Sequence, residues 1–153
     1  MKPTITNNLL LLLIIVSIFS CKPSQYAFQK EAPLQLTRAY FNNWTTGVKI
    51  GSVGVNIYFA NLIPEHNITI DSVYFRRMKG KLYEGKGLYK SRLTKRLTNA
   101  EDNALTTTGF FPFDLGNREC AISYIEDGVT KYYKVDYVAE KEGVYYPDGP
   151  PND

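Results

Sequence analysis

The sequence is poor in the residues that most protein chemistry depends on. It has one histidine, one tryptophan and two cysteines in 153 residues. A lone His66 excludes any histidine-cluster metal site. Two thiols are too few for a structural zinc centre. No cofactor is expected. The glycines Gly80, Gly85 and Gly87 lack the spacing and the helix of a phosphate loop. No window carries a sustained 3.6-residue apolar period, and no internal repeat is present. Charge of one sign is not in large excess either. Lys and Arg number 18 against 15 Asp and Glu, and a net charge of +3 says little about partners. Long apolar runs are also missing. The one candidate covers roughly ten residues, Leu9 to Val16 with Ile18 and Phe19, where a spanning helix needs about 20.

What is present is a β-rich composition. Apolar residues make up 44% and aromatics 14%, enough to build a core, with tyrosine leading at 12 copies. Tyr, Ile, Val and Thr together favour strands. Val53, Val55, Ile57 and Phe59 alternate with polar residues, the period of a half-buried strand. Ile68 to Phe75 is β-branched and aromatic, and its mixed faces suit burial on both sides. Leu62 to Asn67 reads as a turn around Pro64. Cys120 to Ile125, an Asp127-Gly128 turn and a return strand from Val129 to Ala139 form the clearest hairpin. Phe110-Phe111-Pro112-Phe113 holds a proline and suits an edge or a loop plugging the core. Short strands separated by turn residues argue for an all-β fold, a single β-sandwich. An immunoglobulin-like arrangement is one option, although the cysteine–tryptophan–cysteine hallmark is absent.

The first residues read as a secretory leader. One charge at Lys2 precedes a polar stretch and the short apolar run. The junction Ile18-Phe19-Ser20-Cys21 then resembles a bacterial lipoprotein lipobox of the relaxed Bacteroidota type, with Phe19 standing where a small residue is usual. The resemblance implies cleavage before Cys21, acylation of that residue and anchoring in a membrane. Lys22, in place of Asp, leans the address toward the outer membrane. Further on, YFNNWTTGVKIGSVGVNIY (Tyr40 to Tyr58) and DSVYFRRMKGKL (Asp71 to Leu82) are similar to a family of small flavobacterial lipoproteins, over about a third of the chain. That resemblance implies an envelope address and a β-rich fold, and assigns no activity. The expected organisation is a signal peptide over 1–20, lipidated cysteine and tether over 21–34, where alternating Tyr26 and Phe28 leave a packed first strand open, the sandwich over 35–142 and a flexible tail over 143–153.

Lipidation would leave Cys120 without a disulfide partner, while a free Cys21 would leave a Cys21–Cys120 bridge open. Between Arg76 and Arg96 there are nine Lys or Arg and one acid, Glu84, whereas Glu101 to Asp153 holds eleven acids against four bases. One reading gives Arg76, Arg77, Lys79, Lys81, Lys90, Arg92, Lys95 and Arg96 an anionic surface to bind. The plainer reading makes both segments solvated strand faces that pair with each other. Tyr132-Tyr133 and Tyr145-Tyr146 offer aromatic platforms for a sugar, against the alternative of core packing. Trp44 is expected as a core anchor. Cys120 with His66 could form a nucleophilic dyad, but a strand cysteine is more simply a small buried hydrophobe. The leading expectation is a non-enzymatic envelope lipoprotein. Its partners would be the membrane and an envelope protein or glycan, and not nucleic acid. The alternative is a carbohydrate-active or hydrolytic protein using carboxylates from separate strands.

Overall fold

The computed structural model describes residues 26–31, 33–47, 52–65, 67–96 and 111–150. Cys21, His66, Phe110 and the Glu101-Asp102 pair lie outside them. Eleven strands follow in order: β1 (Leu34–Gln35), β2 (Arg38–Thr46), β3 (Ser52–Ala60), β4 (Ile63–Pro64), β5 (Ile68–Phe75), β6 (Met78–Lys81), β7 (Tyr83–Gly85), β8 (Leu88–Arg96), β9 (Cys120–Glu126), β10 (Val129–Val135) and β11 (Ala139–Tyr146). They build a four-stranded sheet, β10-β9-β5-β6, a five-stranded sheet, β11-β2-β3-β8-β7, and a small β1-β4 ribbon.

The fold is an all-β sandwich. Its strand order goes further than the sequence could. Within the larger sheet, β2-β3-β8-β7 reproduces the A-B-E-D order of an immunoglobulin-type sandwich, and β6-β5-β9-β10 reproduces C′-C-F-G. The alternation in β3 decides which way that strand faces. Val55, Ile57 and Phe59 turn inward to meet Phe41 of β2, Val73 and Phe75 of β5, Ile122 of β9 and Leu93 of β8, all buried. Phe41 and Phe75 touch across the two sheets, with ring centroids 4.9 Å apart. Cys120 opens β9 fully buried in this core, and burial pushes its thiol far above the ordinary range. It is a small packed hydrophobe there, closed to any nucleophilic role.

A second apolar cluster lies on the outer side of the four-stranded sheet. Tyr74, Ala121 and Tyr132 form its floor, and Phe113 packs on top. Phe113 stacks on Phe28 at 5.0 Å and meets Tyr74 and Tyr132 edge-on at 5.0 and 5.1 Å. Phe111 and Phe113 therefore act as the expected plugging loop, but over an outer face. Phe28 joins by a parallel bridge to Tyr132, and the Gln29 N–H donates to the Tyr132 carbonyl.

Three expectations are corrected. The segment read as a tether is docked from Tyr26 onward, because Tyr26 and Phe28 complete the aromatic cluster, and Leu34 begins a strand. The return strand does not run to Ala139. It stops at Val135, and the chain crosses at Asp136–Val138 to the other sheet, where buried Val138 donates its N–H to the Arg118 carbonyl at 2.8 Å. The expected flexible tail instead starts inside β11, which runs parallel to β2 as far as Tyr146.

Trp44 is buried as expected, but not between the sheets. It pairs with Gly54 on the face opposite Val55, and its ring fills the space that a glycine leaves. Gly54 has no room for a side chain: a Cβ there would stand 1.9 Å from the Leu93 carbonyl oxygen. The buried Trp44 indole N–H has no acceptor among the described residues.

Candidate functional site

The eight basic residues singled out in the sequence do not form one surface. Lys79 and Lys81 project from the outer face of the four-stranded sheet. Lys79 lies over the Tyr74 ring at 5.2 Å, and Lys81 bonds Asp71 at 2.9 Å. Lys90 and Arg92 alternate outward from β8, on the other side of the sandwich. Lys95 is exposed near the end of that strand, and the Arg96 side chain lies outside the described residues. Arg76 and Arg77 stand apart at one end, as the turn between β5 and β6. Three acids of the C-terminal half, Glu119, Glu126 and Glu140, pair with Lys134, Lys131 and Arg118 from the same half.

Asp71 sits in a network of its own with Lys81, Ser72 and Ser123. Burial works to raise its carboxyl, but hydrogen bonds from Lys81, Ser72 and Ser123 outweigh that and hold it below the ordinary range. The outward face of the larger sheet carries a different polar layer. Buried Asn56 donates to Asn42 Oδ1 at 3.0 Å and to the Tyr146 hydroxyl at 3.4 Å, while its Oδ1 accepts from Arg92 Nε at 3.3 Å. Tyr40 and Tyr58 stack beside it at 5.0 Å. Burial, then Tyr146 and Tyr40, raise the Tyr58 hydroxyl. Of the tyrosine pairs proposed as sugar platforms, Tyr132 is buried and Tyr146 is tied into this layer. Tyr145 is exposed and Tyr133 packs against the core.

Among the described residues, an open cleft of about 510 Å³ lies at the Arg76-Arg77 end. Its walls are Arg76 and Arg77 on one side and Phe111, Phe113, Asp114, Leu115, Gly116 and Asn117 on the other. Arg76 holds these walls together. Its guanidinium lies 4.3 Å from the Phe41 ring centroid and 5.2 Å from that of Phe75. It donates to the Asn117 carbonyl at 3.1 Å and to Asn43 Oδ1 at 3.2 Å. Asn43 passes the contact on to Glu140 at 2.9 Å, and Glu140 lies 3.9 Å from Arg118. The loop on the far wall is pinned by Glu119, which accepts from the Gly116 N–H at 2.8 Å.

The sequence marked Arg76 and Arg77 by charge but missed the opposite wall. Phe111 and Phe113 read as an edge or a loop plugging the core, and nothing in their spacing announced a cleft. Among its described lining residues the cleft carries one acid, Asp114, where hydrolysis by paired carboxylates requires two. Among the described residues, no three His, Cys, Asp or Glu side chains are grouped to hold a metal.

Fold and cleft together define an immunoglobulin-type β-sandwich with a mixed basic and apolar cleft at one end. Comparison with family models, with curated proteins and with solved structures returns no match.

Proposed function

We propose that this chain is a lipid-anchored protein of a bacterial envelope, and that its sandwich is a binding module whose site is the end cleft. The observation that carries the anchor is the junction Ile18-Phe19-Ser20-Cys21 after a run too short to span. Acylation of Cys21 would hold the domain firmly, since each buried methylene contributes about 0.8 kcal/mol and two or three chains act together. The tether is short. Only four residues, Lys22 to Gln25, lie between Cys21 and Tyr26, the first described residue packed on the sheet, and these five backbone steps give a reach of roughly 18 Å. The module therefore works within a small distance of the bilayer. Lys22 after the anchor favours the outer membrane.

Intact-mass analysis of the mature protein tests this. The expected species begins at Cys21 and carries a diacylglyceryl group with a further acyl chain. A mature chain with an unmodified Cys21 would refute the anchor. Cys21→Ala is expected to move the protein out of the membrane fraction.

A further inference from the structure

Three two-residue hairpin turns place both central residues at positive φ: Arg76-Arg77 (48° and 61°), Lys86-Gly87 (54° and 73°) and Asp127-Gly128 (50° and 77°). Such turns favour Asn, Asp or Gly, because a Cβ crowds the carbonyl in this conformation. Two of the three place glycine second. The third keeps a long side chain at both positions. Arg76 is explained by its two rings and two hydrogen bonds. Arg77 is not. It is exposed, no described residue holds its guanidinium, and it stands in the wall of the cleft. A strained backbone under an unengaged cation at a concave site points to an external partner.

The chemistry of the walls narrows that partner. Both acceptors of Arg76 are neutral, a backbone carbonyl and an amide. Asp114, exposed on the facing wall, is engaged by no described side chain. Among the described lining residues, two guanidinium groups against one carboxylate leave a single uncompensated positive charge. That balance suits one anionic group and disfavours a polyanion, which Asp114 would repel. Beside it, half-buried Phe111 and Leu115 flank Phe113, whose ring meets Phe111 edge-on at 6.2 Å. Apolar and aromatic surface therefore lies next to the free guanidinium. Arginine is also the side chain best matched to a planar carboxylate, through two parallel N–H bonds.

We infer that the cleft binds a single carboxylate carried on an apolar body, with Arg77 as its anchor. The source is either the C-terminal residue of a peptide or a small aromatic acid. The inference rests on the sandwich being a binding module and is independent of the lipid anchor.

Calorimetric titration of the full-length protein tests it with N-acetylphenylalanine, its neutral amide, 3-phenylpropionate, N-acetyl-Ala-Ala-Phe and inorganic phosphate. Both aromatic acids are expected to bind, and the amide about tenfold or more weakly. Arg77→Gly, which suits the turn, should cost a similar factor, and Arg77→Lys should retain part of the affinity. Asp114→Asn should tighten binding of the acid several-fold. A tripeptide at least tenfold tighter than phenylpropionate assigns the peptide source, and equal affinities assign the small acid. Equal binding of acid and amide, an unchanged Arg77→Gly, preference for phosphate, or no heat at millimolar probe would each overturn the inference. Intact mass read on the same preparation separates the two claims: an acylated Cys21 with a silent cleft removes this inference alone.

Discussion

Gly54→Ala is the substitution whose cost the structure fixes most directly. The added methyl would sit 1.9 Å from the Leu93 carbonyl oxygen and 2.7 Å from two atoms of the Trp44 ring. Ordinary C···O contacts begin near 3.3 Å, so about 1.4 Å must be found. The Leu93 oxygen is backbone and cannot rotate away. Either β3 and β8 part around the Gly54–Thr94 pair, or β3 pushes Trp44 off the sheet. Overpacking costs typically 1–3 kcal/mol, and a backbone obstacle places this case near the top, at about 3 kcal/mol. In a domain of this size, each kcal/mol lowers Tm by about 4 °C, so a fall of about 12 °C is expected. Gly80→Ala crowds Ser91 Oγ and Leu93 Cδ2, the ends of side chains, while the Arg92 carbonyl oxygen stands at an ordinary 3.7 Å, so it should cost about 1 kcal/mol. Gly85→Ala meets nothing within 4 Å and should fall within about 0.5 kcal/mol of the parent. Thermal unfolding followed by the fluorescence of Trp44, the sole tryptophan, reads all three. A Gly54→Ala protein as stable as Gly85→Ala would refute the packing argument.

Other consequences are as direct. Cys120 should resist a thiol reagent at pH 8 in the native state and react only on unfolding, since the thiol is fully buried. In denaturant one thiol should titrate if the Cys21 sulfur is acylated, and two if it is free. The depressed carboxyl of Asp71 contributes stability that is complete above its ordinary value near 3.8 and is lost as pH falls through its lower folded value. The Tm of Asp71→Asn should therefore fall less steeply than that of the parent below about pH 4. An identical acid limb would show that the Lys81, Ser72 and Ser123 bonds contribute nothing. Arg77→Gly should stabilise the protein by up to about 1 kcal/mol by relieving the turn. Arg76→Gly should instead destabilise it by about 1–2 kcal/mol, because it loses two ring contacts and two hydrogen bonds. Denaturant melts of the two variants should move in opposite directions.

Local pattern carried the fold class, and long-range pairing decided the rest. Val55, Ile57 and Phe59 announced their strand because one face of it is dry. The Asp127-Gly128 turn announced its hairpin because only certain residues tolerate its dihedrals. The break at Asp136–Val138 was hidden, since Val135, Tyr137 and Ala139 keep the period of a strand while the chain changes sheet. Trp44 shows the same limit: its size predicts burial, but only its pairing with Gly54 says on which face. The immunoglobulin-type order was also illegible, because it depends on which strands meet and not on what each contains. At the site, charge flagged the Arg76-Arg77 wall. The facing wall is built by a loop that packs on the sheet through Phe113, and no short-range signal encodes where such a loop lands.

β11 lies at the edge of the larger sheet, parallel to β2, and residues 97 positions apart meet there through Asn43 and Glu140. One of the last strands to be made thus completes a sheet begun by one of the first. Until it arrives, β2 presents an open edge to whatever strand is nearby, the commonest start of aggregation. Contacts this distant in sequence also slow closure, since a long loop must be ordered before they form. The growing chain therefore cannot finish its sandwich early. It stays incomplete until β11 has been made.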